Sequence, residues 1–195
     1  VGACLAIAAC ATPPSGPPPV QVAAAADLAR AFPEVGEAFT RETGVGVGFS
    51  FGSSGLLARQ LAEGAPWDAF ASADEAFVDQ VVAAGACDGT SRARYARGRI
   101  VVWWREPVQV APPTSVADLA DTRFTRIALA QPEHAPYGRA AREALRAAGV
   151  RDTVAGRLVY GENVRQALQF AASGNADVAI VARSLVERSG GRWLE

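Results

Sequence analysis

The stretch of sequence that decides the fold is Phe51-Gly-Ser-Ser-Gly-Leu-Leu-Ala-Arg-Gln-Leu-Ala-Glu-Gly-Ala-Pro-Trp-Asp-Ala-Phe-Ala-Ser-Ala-Asp74. It predicts the end of a strand, a small polar loop from Gly52 to Gly55, a helix and a second strand. Two serine hydroxyls and several free backbone N–H groups then lie at a helix N-terminus, where the helix dipole favours a negative charge. The stretch therefore predicts an α/β unit with a binding site for an anion.

The composition is that of a globular protein without a strongly charged partner. The chain has 195 residues, which is enough for one large hydrophobic core or two small ones. Half of the residues are apolar, a fifth are charged, and the formal net charge is -1. No basic surface for nucleic acid or for an anionic membrane is expected from these values.

The beginning of the chain differs from the rest. Residues 1–12 are small and apolar and contain Cys10, and the proline-rich residues 13–19 follow as an extended linker. This pattern is typical of the end of a bacterial lipoprotein signal peptide, in which Cys10 carries the lipid and Cys4 is removed. A disordered alanine-rich leader is the alternative. Because Cys87 is then the only cysteine left, no intrachain disulfide and no metal-ligand spacing are expected.

Predicted strands and helices alternate along the rest of the chain. Seven apolar runs are predicted as strands, namely Val20–Ala25, Val45–Phe51, Ala69–Ala73, Ile100–Trp104, Ile127–Leu129, Leu158–Val159 and Asp177–Ala182. The segments between most of them carry apolar residues at helical spacing, and Pro33 is expected to kink the first helix or to begin it. The alternation predicts an α/β fold with largely parallel sheets.

Four junctions between a strand and a helix share one design. They are Ala24-Ala-Ala-Asp27, Gly52-Ser-Ser-Gly55, Pro132-Glu-His-Ala-Pro-Tyr-Gly138 and Tyr160-Gly-Glu-Asn-Val164. In open α/β sheets, ligands bind beyond the carboxyl ends of the strands, where helix N-termini present unpaired amides. One such junction is explained by ordinary helix capping. Their recurrence predicts a small anion that is held without arginine or lysine.

No set of residues in the sequence predicts catalysis. His134 is the only histidine, and we expect it to shape its own loop between two prolines. Arg139, Arg142 and Arg146 recur at helical spacing and predict a solvated helix face. The absence of a paired nucleophile and base, or of a metal cluster, favours a binding protein over an enzyme, and no cofactor is predicted.

Four segments resemble the periplasmic molybdate-binding protein family, the extracellular receptors of molybdate ABC importers. They are Phe51-Gly-Ser-Ser-Gly-Leu-Leu-Ala-Arg-Gln60, Gly64-Ala-Pro-Trp-Asp-Ala-Phe-Ala-Ser-Ala-Asp74, Pro132-Glu-His-Ala-Pro-Tyr-Gly-Arg139 and Tyr160-Gly-Glu-Asn-Val-Arg-Gln-Ala-Leu168. The similarity extends from about Val20 to Ser184. The resemblance implies a two-lobed, type II-like periplasmic binding protein, whose lobes close on a hinge around a tetrahedral oxyanion.

The resemblance also implies a division of the chain. Residues 1–19 would be the partial signal and linker, 20–98 lobe one and 99–184 lobe two. Residues 185–195 would begin a segment that returns to lobe one in this family, and the remainder of that segment is expected to be missing from the chain.

The function implied is capture of molybdate, or of tungstate, for import through the membrane permease of an ABC transporter. A monomer is expected, without nucleic acid, in the periplasm or at the cell surface and anchored through Cys10. The alternatives are a receptor for another oxyanion such as sulfate, a receptor for a small ligand with hydroxyl groups, and an enzyme. A ligand-sensing domain fused to a DNA-binding helix pair is a further alternative.

The resemblance implies particular contacts with the oxyanion. Ser54 would donate from its hydroxyl and its backbone N–H, and Tyr137 and Val164 would each donate from a backbone N–H, so that the side chain of Tyr137 matters little. Ala182 stands where the family commonly has a tyrosine, which puts one phenolic donor in doubt. No protein side chain is expected to bind a metal directly, since molybdenum would enter only as molybdate.

Asp27 is the second departure, because it stands where the family usually has a serine, unless a shift of one residue places Ala26 there. A carboxylate about 4 Å from a dianion is repelled by roughly 8 kcal/mol, at about 4 kcal/mol per pair of unit charges and an effective dielectric constant near 20. We expect Asp27 to turn back and cap its own helix. Two alternatives are that it holds a proton and donates it, or that the ligand is not a dianion.

Overall fold

The structure is a computed structural model, and it describes residues 17–108, 110–187 and 189–195. The predictions about Cys4 and Cys10 lie outside the described residues. Two β-sheets organise the described chain, one of three strands and one of five.

The first sheet is entirely parallel and has the order β2-β1-β3. Its strands are β1 (Val20–Ala25), β2 (Val47–Gly52) and β3 (Ala69–Ala71), and its helices are α1 (Ala31–Thr43), α2 (Ser54–Ala62) and α3 (Glu75–Ala83). The central strand ends in small buried residues, with Ala23 and Ala24 fully buried. Because alanine has so short a side chain, the helix ends approach this part of the sheet closely. We call this unit lobe one.

The second sheet is mixed and has the order β6-β5-β7-β4-β8. Its strands are β4 (Ile100–Arg105), β5 (Ile127–Ala130), β6 (Leu158–Gly161), β7 (Val178–Ala182) and β8 (Gly191–Leu194). Its helices are α4 (Pro136–Ala147), α5 (Arg151–Val154), α6 (Val164–Ala172) and α7 (Arg183–Val186). Strands β5, β6 and β7 are parallel, whereas β4 runs antiparallel to both β7 and β8. We call this unit lobe two.

Both faces of the second sheet are covered. Alternate residues of β4 point to opposite faces, so that Trp103 packs into one buried cluster and Val102 into another. This burial on two sides explains why the strands are continuous apolar runs and not alternating ones. Ala26, from lobe one, belongs to the same cluster as Trp103, so the hydrophobic core continues from one lobe into the other.

The end of the chain lies on lobe two. Within residues 185–195, which we expected to begin the return to lobe one, β8 adds an edge strand beside β4. Trp193 stands opposite Trp103 in this pairing. This strand of four residues has a single tryptophan and a single leucine, which is too short a pattern to predict a strand from the sequence.

The start of lobe one agrees with one prediction and differs from another. Of the two alternatives for Pro33, the structure supports the one at the helix start: α1 begins at Ala31, after a short turn, and places the proline in its first turn, where the missing N–H would have no acceptor within the helix. Asp27 is not a helix cap. It lies inside a short 3-10 turn, Ala26–Leu28, and its side chain makes no capping hydrogen bond.

Within the described ranges, none of the helices is both long enough and apolar enough to cross a lipid bilayer.

Candidate functional site

A small cleft lies between the two lobes, where strands from both sheets reach their carboxyl ends. The structure brings the four predicted junctions together at this cleft. Its lining residues come from both lobes: Ala25, Ala26, Asp27, Gly52, Ser53, Ser54, Ala73, Ala135, Pro136, Tyr137, Asn163 and Val164. None of these is basic, so the cleft presents amides and hydroxyls to a ligand and no cationic side chain.

Ser54 is fully buried at the first position of α2. Its Oγ accepts a hydrogen bond from the backbone N–H of Ala73 at 3.0 Å. Because a hydroxyl has one proton as well as acceptor sites, this contact leaves the Ser54 proton for donation. Ser54 can therefore donate to a ligand oxygen while its oxygen atom is held in place.

Two other helices begin at the cleft. In α4, Pro136 is the first residue and Tyr137 the second, so the Tyr137 N–H lies in the first turn and has no partner within the helix. Val164 is the first residue of α6, and the side chain of Asn163 accepts from the next two amides at 3.1 Å each. Asn163 thereby satisfies those amides and leaves the Val164 N–H for another acceptor.

Asp27 is buried in the cleft and is hydrogen-bonded to lobe two. The Tyr137 hydroxyl donates to its Oδ2 at 2.9 Å. Its Oδ1 is buried and has no hydrogen-bond partner among the residues that the structure describes. Burial raises the pKa of the Asp27 carboxyl above its usual value, against the opposing effects of the hydrogen bond from Tyr137 and of the residue's own backbone N–H. Burial, followed by the charge of Asp27, also raises the pKa of the Tyr137 phenol.

This pair corrects two expectations. The side chain of Tyr137 was expected to matter little, yet it supplies the contact that holds Asp27. The preferred explanation for Asp27, that it caps its own helix, is wrong, since its carboxyl faces Tyr137 across the cleft. The two residues are 110 positions apart, and no local pattern connects them.

Ala182 does not line the cleft. It is fully buried at the end of β7, paired with Ile100 of β4, and belongs to the core of lobe two. The methyl group offers no phenolic donor there. The phenol nearest to the ligand space is that of Tyr137 instead.

Direct hydrogen bonds join the lobes beside the cleft. The Gly55 N–H donates to the backbone oxygen of His134 at 2.9 Å, and Ser53 Oγ lies 2.8 Å from His134 Nδ1. A side chain at position 55 would place its Cβ 2.7 Å from that same oxygen. His134 therefore does more than shape its own loop, because it forms the contact of that loop with lobe one.

Arg139 makes a further contact between the lobes. Its guanidinium lies 2.6 Å from a carboxylate oxygen of Asp74 and 5.0 Å from the centre of the Phe77 ring. The prediction that Arg139 belongs to a solvated face is therefore wrong for this residue. Helical spacing alone did not reveal it, because the partners lie at the N-terminus of α3 in the other lobe.

Asn163 and Ser53 are cleft residues that the sequence analysis did not single out. For Asn163 a signal was present, since asparagine is among the preferred residues at a helix N-cap and here directly precedes an apolar helical stripe. Ser53 was one of the two serine hydroxyls expected at the start of α2, without a role of its own.

Two α/β lobes that meet at a cleft lined by helix N-termini and free of cationic side chains define a binding protein for small solutes. A family model described as "Bacterial extracellular solute-binding protein" matches residues 20–194. The chain belongs to this family.

Several relatives share most of the chain. It is 37% identical over 177 residues to the molybdate-binding protein ModA of Rhodobacter capsulatus, a match that covers 90% of this chain and 69% of the relative. ModA of Escherichia coli K12 is 38% identical over 172 residues, with 83% and 64% covered. The structure matches the Azotobacter vinelandii periplasmic molybdate-binding protein with a TM-score of 0.77 at 33% identity, covering 84% of this chain and 71% of that one. The chain thus spans about two thirds of the length of these relatives.

Proposed function

We propose that this protein is an extracytoplasmic receptor that captures molybdate, or tungstate, and delivers it to the membrane permease of an ABC transporter. One observation carries the proposal: Ser54, Tyr137 and Val164, which lie on three different helices, line one cleft between two lobes. The relatives that bear the name molybdate-binding protein support the choice of ligand.

The chemistry of the cleft suits reversible capture of an oxyanion. Backbone N–H groups at helix N-termini and a fixed hydroxyl form charge-assisted hydrogen bonds with a negatively charged oxygen. Such donors hold an anion without the full positive charge of an arginine. The protein acts as a monomer that binds its ligand without transforming it, and it has no nucleic-acid partner.

Titration calorimetry of the full chain with molybdate, tungstate, sulfate and phosphate tests this function. We expect molybdate and tungstate to bind with one site per chain and sulfate to give no response, because the closed cleft fixes the distances between its donors. Binding of sulfate in preference to molybdate would establish the alternative oxyanion. The absence of heat with every oxyanion would overturn the proposal and favour a hydroxyl-bearing ligand.

We also propose that Cys10 carries a lipid that anchors the receptor in the periplasm or at the cell surface. The test is membrane fractionation of bacterial cells that express the precursor with its leader. Cys10→Ser is expected to move the protein from the membrane fraction to the soluble extracytoplasmic fraction. Cys4→Ser is the matched control and should leave the protein with the membrane. Retention of the Cys10→Ser variant in the membrane would contradict the anchor.

A further inference from the structure

The carboxyl group of Asp27 is held so that one oxygen remains for a ligand. Its Oδ2 accepts from the Tyr137 hydroxyl at 2.9 Å, and the hydroxyl of Ser184 donates to its backbone oxygen at 3.0 Å. Ser184 lies on α7, so that two elements of lobe two fix this one residue of lobe one. Asp27 lines the cleft, is only 7% exposed, and its Oδ1 has no partner among the described residues. A buried polar atom without a partner is costly, and a ligand atom would satisfy it.

We propose that Asp27 is a specificity-determining residue that receives one proton when the oxyanion binds and donates a hydrogen bond to it from Oδ1. This inference rests on the proposed function and deepens it. The proton comes from the solvent and forms an O–H bond on the carboxylate, and no bond of the oxyanion breaks. The complex therefore contains a neutral carboxylic acid beside a dianion.

The charges around Asp27 support this assignment. The groups that face it are the phenols of Tyr137 on α4 and Tyr95 in the segment before β4, together with the Ser184 hydroxyl. Burial, and then the charge of Asp27, raises the pKa of Tyr95 to about 12, so this phenol stays neutral at physiological pH. The pKa of Tyr137 is raised by the same two causes.

No cation compensates for an ionised Asp27. The cleft residues contributed by β2 and α6 are uncharged, and none of the ion pairs within the described ranges includes Asp27. A dianion beside the ionised form would be repelled by the charge of the carboxylate. A proton on the carboxyl removes this repulsion and turns the same oxygen into a donor. The raised pKa of Asp27 agrees with this direction.

Proton uptake can be measured directly. Molybdate is titrated into the full chain by calorimetry in two buffers of different ionisation enthalpy, between about pH 6 and about pH 9, well above the usual pKa of an aspartate. We expect uptake of about one proton per molybdate and an affinity that falls about tenfold per pH unit above the pKa of the free carboxyl. An affinity that is constant over this range, without proton uptake, would overturn the inference.

Two variants complete the test. Asp27→Asn offers an amide N–H in place of the protonated carboxyl, so it should bind molybdate with no proton uptake and no pH dependence. Asp152→Asn, at an exposed site far from the cleft, should keep the wild-type proton uptake. Circular dichroism confirms that each variant is folded.

The outcomes separate this inference from the proposed function. Molybdate binding by the wild type without proton uptake removes the role of Asp27 and leaves the receptor intact. If a folded Asp27→Asn variant failed to bind, the ligand would need the carboxylate as an acceptor, and the proton would lie on the ligand. This result would overturn Asp27 as the donor. Failure of the wild type and both variants to bind any oxyanion would overturn the receptor function itself.

Discussion

Gly55→Ala is expected to weaken molybdate binding by about ten- to a hundredfold, while both lobes remain folded. The new Cβ would lie 2.7 Å from the backbone oxygen of His134 on the other lobe. A backbone atom cannot turn aside as a side chain can, so the lobes must separate by several tenths of an ångström. Overpacking of this kind costs about 1–3 kcal/mol, and about 1.4 kcal/mol corresponds to a tenfold change in affinity.

The measurement is the dissociation constant by calorimetry, together with thermal unfolding of the ligand-free protein. Gly46→Ala is a matched control in lobe one, since its Cβ would meet only Pro19, at an ordinary 3.5 Å. The control should bind as the wild type does. Wild-type affinity in Gly55→Ala would show that the closed contact with His134 is not needed for binding.

Ser54→Ala is expected to have the second large effect, a loss of about ten- to a hundredfold in affinity for the oxyanion. At the N-terminus of α2, the Ser54 hydroxyl adds a neutral side-chain donor to the backbone N–H donors of the cleft. A hydrogen bond to a charged group contributes about 1.5–3 kcal/mol. The variant also removes the acceptor of the half-buried Ala73 N–H, which should lower the free energy of unfolding by about 0.5–1.5 kcal/mol.

These two losses are separable. The contact with Ala73 is missing in both the free and the bound variant, so it cancels in the affinity and appears only in the unfolding measurement. Calorimetry and denaturant unfolding therefore report different roles of the same hydroxyl. Ser50→Ala, at an exposed position of β2, is the control and should change neither quantity appreciably. Undiminished affinity in Ser54→Ala would remove Ser54 from the ligand contacts.

Much of the fold follows from local patterns. The apolar runs predicted seven of the eight described strands, and the reason is clearest for β5 and β7, which are buried along their whole length and therefore continuously apolar. The antiparallel direction of β4 was not predictable. The direction of pairing depends on how the chain returns to the sheet, and the residues of the strand itself do not indicate it. Strand β8 was missed for a related reason: an edge strand of four residues carries too little pattern.

The residues at the cleft divide along the same line. The junctions that contain Ser54 and Val164 were predicted because a strand end followed by a helix start fixes where free amides lie, and this is a local property. Ala182 was placed at the site only by resemblance, and the structure buries it in the core of lobe two. The solvated face predicted for Arg139 is wrong for this residue. Helical spacing identifies the residues that share one face of a helix, but not the groups that another lobe places against that face.

By itself, the sequence determined that this protein is an α/β protein with several helix N-termini at strand ends, which is the basis on which a small anion was predicted as the ligand. Spacing within a strand, turn and helix suffices for that, because capping and periodicity act over a few residues. Only the tertiary structure decided that Asp27 meets Tyr137 and that Gly55 meets His134. These contacts join groups that lie far apart in the chain. They form where the two lobes meet, and the packing of the lobes depends on the hydrophobic core and the backbone of both.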